Sequence, residues 1–171
     1  MTDATGHVLS IHLLRAQRTP PQPVAAAKAL VGHGLEGDVH GKKRSGDHRQ
    51  VLILDIASLR YFGLRPGDLR EQITVDFPML ERLPSGARLR IGVATFELSG
   101  PCEPCTHIGQ ALGTDDRIAF QQALLGRRGQ LARVVAVEGD GIIRVGDAVA
   151  AARPEPEEAS GSGVSIAVSA D

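Results

Sequence analysis

Apolar and polar positions along the chain change rhythm every few residues, and no one period persists. Residues 7–14 carry Val8, Leu9, Ile11 and Leu13 and read as a first strand. The Pro-rich stretch at 19–23 breaks it, since proline cannot sit in a helix or a central strand. Residues 24–31 suit helix by their alanines and strand by their short length between breakers. Residues 32–46 form a long loop rich in glycine and charge. Residues 50–54 are a continuous apolar run, as a buried strand requires. Asp55 is placed to cap a helix over 56–62 that stops at Gly63. Pro66-Gly67-Asp68 is a turn. Strands are expected at 73–75, 87–91 and 94–98; Arg88-Leu89-Arg90-Ile91 alternates as a half-buried strand should. A short helix over 106–112 closes at Gly113, and Thr114 is expected to cap a second, with Asp115 and Asp116 in its first turn. Residues 130–137 and 142–149 complete the pattern as two strands joined by a turn at 139–141. Many short strands and few short helices predict a β-rich α+β fold, a barrel or folded-over sheet with small peripheral helices.

The domain is expected over residues 1–153. From there Arg153-Pro154-Glu155-Pro156-Glu157-Glu158 leads into Ser160-Gly161-Ser162-Gly163, so 154–171 reads as a flexible tail. Composition narrows the function. Of 171 residues, 42% are apolar, yet there is no Trp, one Tyr and four Phe. The core must be aliphatic, and the stacking rings of single-strand nucleic-acid binders are lacking. A net charge of −1 gives no general pull toward DNA or RNA. No apolar run approaches the ~18 residues of a membrane span. Met1 to Gly6 lacks a signal-peptide layout, so a cytoplasmic location is expected. Two cysteines in a reducing compartment read as ligands or reactive thiols.

Three segments carry candidate chemistry. Gly34-Leu35-Glu36-Gly37-Asp38-Val39-His40 is followed by Lys42, Lys43, Arg44, His48 and Arg49. Its glycines let backbone approach a ligand, and its cations suit phosphate; it also reads as a solvated basic loop with Asp38 and Asp47 forming turns. Cys102-Glu103-Pro104-Cys105, with His107 beyond, has several readings. It is part of a zinc site with His107 as third ligand, a redox dithiol, one working thiolate with a supporting neighbour, or two structural cysteines. Cys105 would begin the helix near Thr106, where backbone N–H groups favour a thiolate. Lastly, Glu71-Gln72-Ile73-Thr74 stands beside Arg133, which interrupts an apolar strand. A buried guanidinium there needs Glu71, Asp38 or a ligand oxyanion as partner. No Ser/His/Asp order, P-loop or dinucleotide fingerprint is present.

The order of these segments resembles the MOSC family, named for the C-terminal domain of molybdenum cofactor sulfurase. Gly34 to His40 looks like its G-L-x-G-D-x-H signature and continues through Arg49-Gln50-Val51. Pro66-Gly67-Asp68-Leu69-Arg70-Glu71-Gln72-Ile73-Thr74 is similar to P-G-D-x-x-E-N-[IL]-T. Leu83 to Ala87 resembles its L-x-x-G turn, Gly100 to Cys105 its P-C motif, Arg128 to Val134 its R-G-x-x-A-R-V, and Ile143 to Asp147 its I-x-x-G-D. The resemblance spans roughly residues 7–150. It implies a MOSC-type β-barrel and binding of a molybdopterin-type cofactor, with Gly37, Asp38, His40, Arg49, Gln72, Thr74 and Arg133 around it. It also implies Cys105 as the reactive thiol and molybdenum ligand. Members include sulfur-transfer domains and reductases of N-hydroxylated compounds in which the cysteine ligates molybdenum.

One position departs from the pattern: Gln72 stands where the family has Asn. Cys102 is an extra thiol, placed to act as a resolving partner. No pyridoxal-phosphate, flavin, haem or iron–sulfur motif is present. A sulfur donor of the cysteine-desulfurase type, or an electron-donor protein, is therefore an expected partner. The competing expectations are a binding module that kept the barrel without the chemistry, and a zinc site at Cys102, Cys105 and His107. Nucleic acid and membrane are not expected as partners.

Overall fold

The computed structural model describes residues 5–42 and 47–152. The side chains of Lys42, Lys43 and Arg44 and the expected tail at 154–171 lie outside the described residues.

The chain builds a β-rich barrel with short helices on its outside. The order is β1 (Thr5–Leu13), β2 (Gln22–Val24), β3 (Ala26–Leu30), β4 (Gly34–Leu35), β5 (Val51–Asp55), α1 (Ile56–Tyr61) and β6 (Ile73–Val75). Then come β7 (Arg88–Ile91), β8 (Ala94–Pro101), α2 (Thr106–Ala111), α3 (Arg117–Ala123), β9 (Gln130–Val137), β10 (Ile142–Arg144) and β11 (Ala148–Ala151). The main sheet runs β11-β7-β8-β9-β5-β6-β1-β2, and β11 also pairs with β1, closing seven strands into a barrel. Among the described strands only β5 and β6 run parallel; their crossover carries α1. A smaller sheet, β10-β3-β4, lies beside the barrel.

Alternation explains most strands. In β9 the residues Gln130, Ala132 and Val134 are buried, while Leu131, Arg133 and Val135 are half-buried on the other face. β5 is buried throughout because it has apolar neighbours on both faces. Val51 and Ile53 join the barrel core around Phe77, Phe96, Ile91 and Leu89. Leu54 points the other way, into a second cluster with Leu59, Leu69, Ile108 and Leu124 beneath the helices. That second cluster fixes α2 and α3 against the barrel and so places the cysteine loop that precedes α2.

Several expectations need correction. Within residues 24–31, which by sequence are open to helix or strand, Ala26–Leu30 forms a strand with Ala27 and Ala29 inward. The Pro-rich break ends in the three-residue β2, which tolerates Pro23 because it is the last strand of the sheet order. The loop at 32–46 contains the short β4 and a 3-10 turn at Val39–Lys42. The single strand expected over 142–149 is two, split by a turn in which Gly146 has φ 92° and Asp147 Oδ2 accepts from Arg144 N at 2.8 Å. β10 pairs with β3 rather than with β9. Finally, Asp116 and not Thr114 caps α3, accepting from Ala119 N at 2.9 Å. Thr114 instead donates to Gly109 O at 3.1 Å and closes α2.

Candidate functional site

A cavity of about 420 Å³ opens where β5 and β9 meet the loop after β1, the residues around His40 and Arg49, the segment just before β6 and the cysteine loop. Its walls carry Arg18, Arg49, Arg70, Arg128, His40, His107, Gln50, Gln72, Cys102 and Cys105 among apolar residues. Four arginines and two histidines face it, and among the described residues no carboxylate lines it. That charge balance is built for an anion.

Arg128 is the deepest of these cations. It is 7% exposed, and its Nε and Nη1 are buried without any hydrogen-bond partner among the described residues. Burial lowers its affinity for its proton, and the nearby sulfurs and Glu71 push the other way. A buried guanidinium with unpaired N–H groups is costly unless an acceptor arrives. Gln50 repeats the signal. Its Oε1 accepts from Val134 N at 3.0 Å, while its Nε2 is buried and unpartnered. Both orphaned groups are donors, so the missing partner is an acceptor.

His40 is aimed by its neighbours. Asp38 is buried, and its Oδ1 accepts from His40 Nδ1 at 2.8 Å and His40 N at 2.9 Å; its Oδ2 accepts from Leu14 N at 2.8 Å. Burial alone would raise the Asp38 pKa, but the bonds from His40 and Leu14 outweigh it and hold the carboxyl below its usual range. An ionised Asp38 fixes the Nδ1–H tautomer of His40 and leaves Nε2 free for the cavity.

Gln72 lines the cavity, yet its amide is committed inward. Oε1 accepts from Leu52 N at 2.8 Å, and Nε2 lies 3.1 Å from His40 Nδ1 and 3.4 Å from Asp38 Oδ2. With Nδ1 donating to Asp38, the amide N–H group also points at that carboxylate. Gln72 therefore ties β5 to the Asp38–His40 pair.

The cysteines differ. Cys105 is exposed and is the N-cap residue of α2, with no side-chain capping bond. Cys102 is partly buried; burial pushes its thiol pKa up, against Arg128 and Arg49. Its backbone N donates to Gly129 O at 2.9 Å, which joins the cysteine loop to the Arg128 turn. No three His, Cys, Asp or Glu side chains among the described residues come together to hold a metal. Cys102, Cys105 and His107 thus do not form the expected zinc site, although all three line the cavity.

Of the predicted site residues, His40, Arg49, Gln72, Cys102 and Cys105 share this cavity. Gly37, Asp38, Thr74 and Arg133 do not line it. Gly37 is exposed at φ 82°, where a side chain would meet the Arg15 guanidinium. Thr74 is buried and donates to Glu71 Oε1 at 2.9 Å; the same oxygen accepts from Gly67 N at 2.6 Å. The expectation for Arg133 is corrected: it is half-buried and bonds Glu97 at 2.7 Å, its direct neighbour across β8, rather than Glu71, Asp38 or a ligand. The buried arginine is Arg128, five positions earlier, inside the run that ends at Val134. Arg18 and Arg70 were also outside the predicted set.

The comparisons agree with this architecture. The YuaD protein of Bacillus subtilis superposes with a TM-score of 0.73 at 21% identity, covering 86% of this chain and 95% of that one. YiiM of Geobacillus stearothermophilus gives 0.67 at 17%, covering 86% and 75%. YiiM of Escherichia coli gives 0.61 at 18%, covering 87% and 71%. No curated protein matches the sequence. No helix among the described residues is long and apolar enough to cross a membrane. The model of the MOSC domain matches residues 38–150, from the aspartate that holds His40 to the strand that closes the barrel, and the chain belongs to the MOSC domain family.

Proposed function

We propose that this protein binds a molybdopterin-type molybdenum cofactor in the arginine-lined cavity, with Cys105 as the thiol that meets the metal or its sulfur. The observation that carries the reading is Arg128: a buried guanidinium whose Nε and Nη1 have no hydrogen-bond partner among the described residues, on the wall of a cavity that those residues line without a carboxylate and with a free cysteine. An anionic, oxygen-rich group satisfies Arg128 and Gln50 together. Arg128 and Arg49 would hold the cofactor's phosphate, Gln50 and His40 would bond its polar edge, and a Cys105 thiolate is a soft ligand. When bound, the cofactor supplies a redox-active metal and transferable sulfur. The chain's own residues orient it, with the His40 ring held in place by Asp38.

Sulfur transfer or cofactor delivery, and reduction of an N-hydroxylated compound, both use this layout. Either needs a partner in the cytoplasm, a sulfur donor or an electron donor respectively. The test is molybdenum and pterin content of the protein purified from hosts able and unable to make the cofactor. Stoichiometric molybdenum and pterin from the competent host alone is expected. Arg128→Met should lose both, and Cys105→Ser should lose molybdenum or its sulfur while keeping pterin. Wild-type protein from the competent host without either component overturns the reading and leaves a binding module.

A further inference from the structure

Among the described residues, only two that are not glycine have a left-handed backbone: Arg18 at φ 62° and Arg70 at φ 60°. Both are arginines, both line the one cavity, and they come from segments about fifty residues apart in sequence. Such a conformation costs on the order of 1 kcal/mol for a side chain with a Cβ and persists only where something selects it. Glycine or asparagine would relieve it. The segments are tied together: Arg70 Nη1 donates to Thr19 O at 2.9 Å, so the turn holding Arg70 grips the turn holding Arg18. Arg18 is exposed and Arg70 half-buried, whereas Arg128 is buried. The pair therefore stands nearer the opening and Arg128 at the floor. Arg70 also adds repulsion to Arg128, which Glu71, behind the cavity wall, partly offsets.

We infer that Arg18 and Arg70 form a second anion subsite at the mouth of the cavity, which receives an anionic group, carboxylate or phosphate, of the molecule the protein acts on. The inference rests on the anion-binding reading of the same cavity and extends it from cofactor to substrate. One phosphate ester at the floor leaves half of the four arginines without a counter-charge.

The experiment titrates inorganic phosphate into the cofactor-free full chain by calorimetry. Two sites are expected. Arg18→Gly/Arg70→Gly should abolish or weaken one of them by about tenfold or more, the loss of a charge-assisted contact, while its melting temperature holds or rises because glycine fits the backbone. Arg18→Asn/Arg70→Asn should behave alike. Arg128→Met should remove the other site. A wild-type chain with one site overturns the inference, as does a folded glycine variant that still binds phosphate at both sites. Molybdenum and pterin content does not enter this readout. Loss of the mouth site with cofactor absent would sink the cofactor reading alone, and cofactor present without a mouth site would sink this inference alone.

Discussion

At the scale of single residues, Gln72 shows how a departure from the family pattern is absorbed. Its carbonyl oxygen takes the Leu52 N–H, while Leu52 O accepts from Gln72 N at 3.1 Å. The side chain thus completes a pair of bonds to one residue of β5. Asn is a methylene shorter and cannot reach Leu52 N from the same backbone. Gln72→Asn should leave a buried donor unpaired and cost about 1–3 kcal/mol, read by denaturant unfolding. Unchanged stability with altered cofactor retention would instead make the amide a ligand contact. The residues legible in the sequence were those with distinctive chemistry: the cysteines, His40 and Arg49 converge as the motifs suggest. Arg128 opens the R-G-x-x-A-R-V run, but nothing local distinguishes it from the adjacent Arg127 or marks it as the buried one of the run. Arg133 misled because an arginine in an apolar strand looks buried; its position alternates with Ala132 and Val134 and so faces outward.

At the scale of elements, the 3-10 turn at Leu80–Arg82 supports the turn that carries Arg128. Glu81 Oε1 accepts from Gly129 N at 3.0 Å, and Gly129 has φ 82° with its Cα against Ile53 O, where no side chain fits. Burial, helped by the Asp55 charge and opposed by Gly129 and Arg127, raises the Glu81 pKa from 4.5 to about 7. The folded state therefore holds this proton more tightly than the unfolded chain. Glu81 favours folding most below pH 4.5 relative to its ionised form, and that advantage is lost as pH rises from 4.5 through about 7. After discount for its partial exposure, the loss is on the order of 1–2 kcal/mol. Glu81→Gln keeps an acceptor for Gly129 and should flatten this part of the stability–pH curve, melting higher than wild type at pH 8. An unchanged curve would mean that the carboxyl titrates normally. Element types were mostly legible because local signals agree with tertiary demand, as at Asp55, whose Oδ1 accepts from Ala57 N at 2.7 Å. The divided strand at 142–149 was not, since Ile142 to Val149 is apolar enough to run on. Only the competing partners, β3 on one side and β1 with β7 on the other, force the turn at Gly146.

At the scale of the whole molecule, the barrel is closed by its two ends. Thr5, Gly6 and His7 pair with Ala150, Val149 and Ala148. Nothing in a local pattern announces a pairing so distant in sequence, which is why barrel and folded-over sheet were both expected. Gly6 lies against the Asp76 backbone oxygen, so a Cβ there would push β1 from its place. Gly6→Val should destabilise the fold by about 2–4 kcal/mol and expose the edges of β1 and β11, raising aggregation. A chain ending at Arg153 should keep its melting temperature, because closure is complete at Ala151. Gly6→Val melting as wild type, or the shortened chain melting many degrees lower, would place the seam elsewhere. The seam also sets a timetable for synthesis. The first strand leaves the ribosome with its partner still untranslated, and Arg18, Arg70 and Arg128 emerge far apart in time. Until the last strand is free of the exit tunnel, the nascent chain carries an unsealed, edge-bearing sheet. Folding is then dominated by long-range pairings and should be slow.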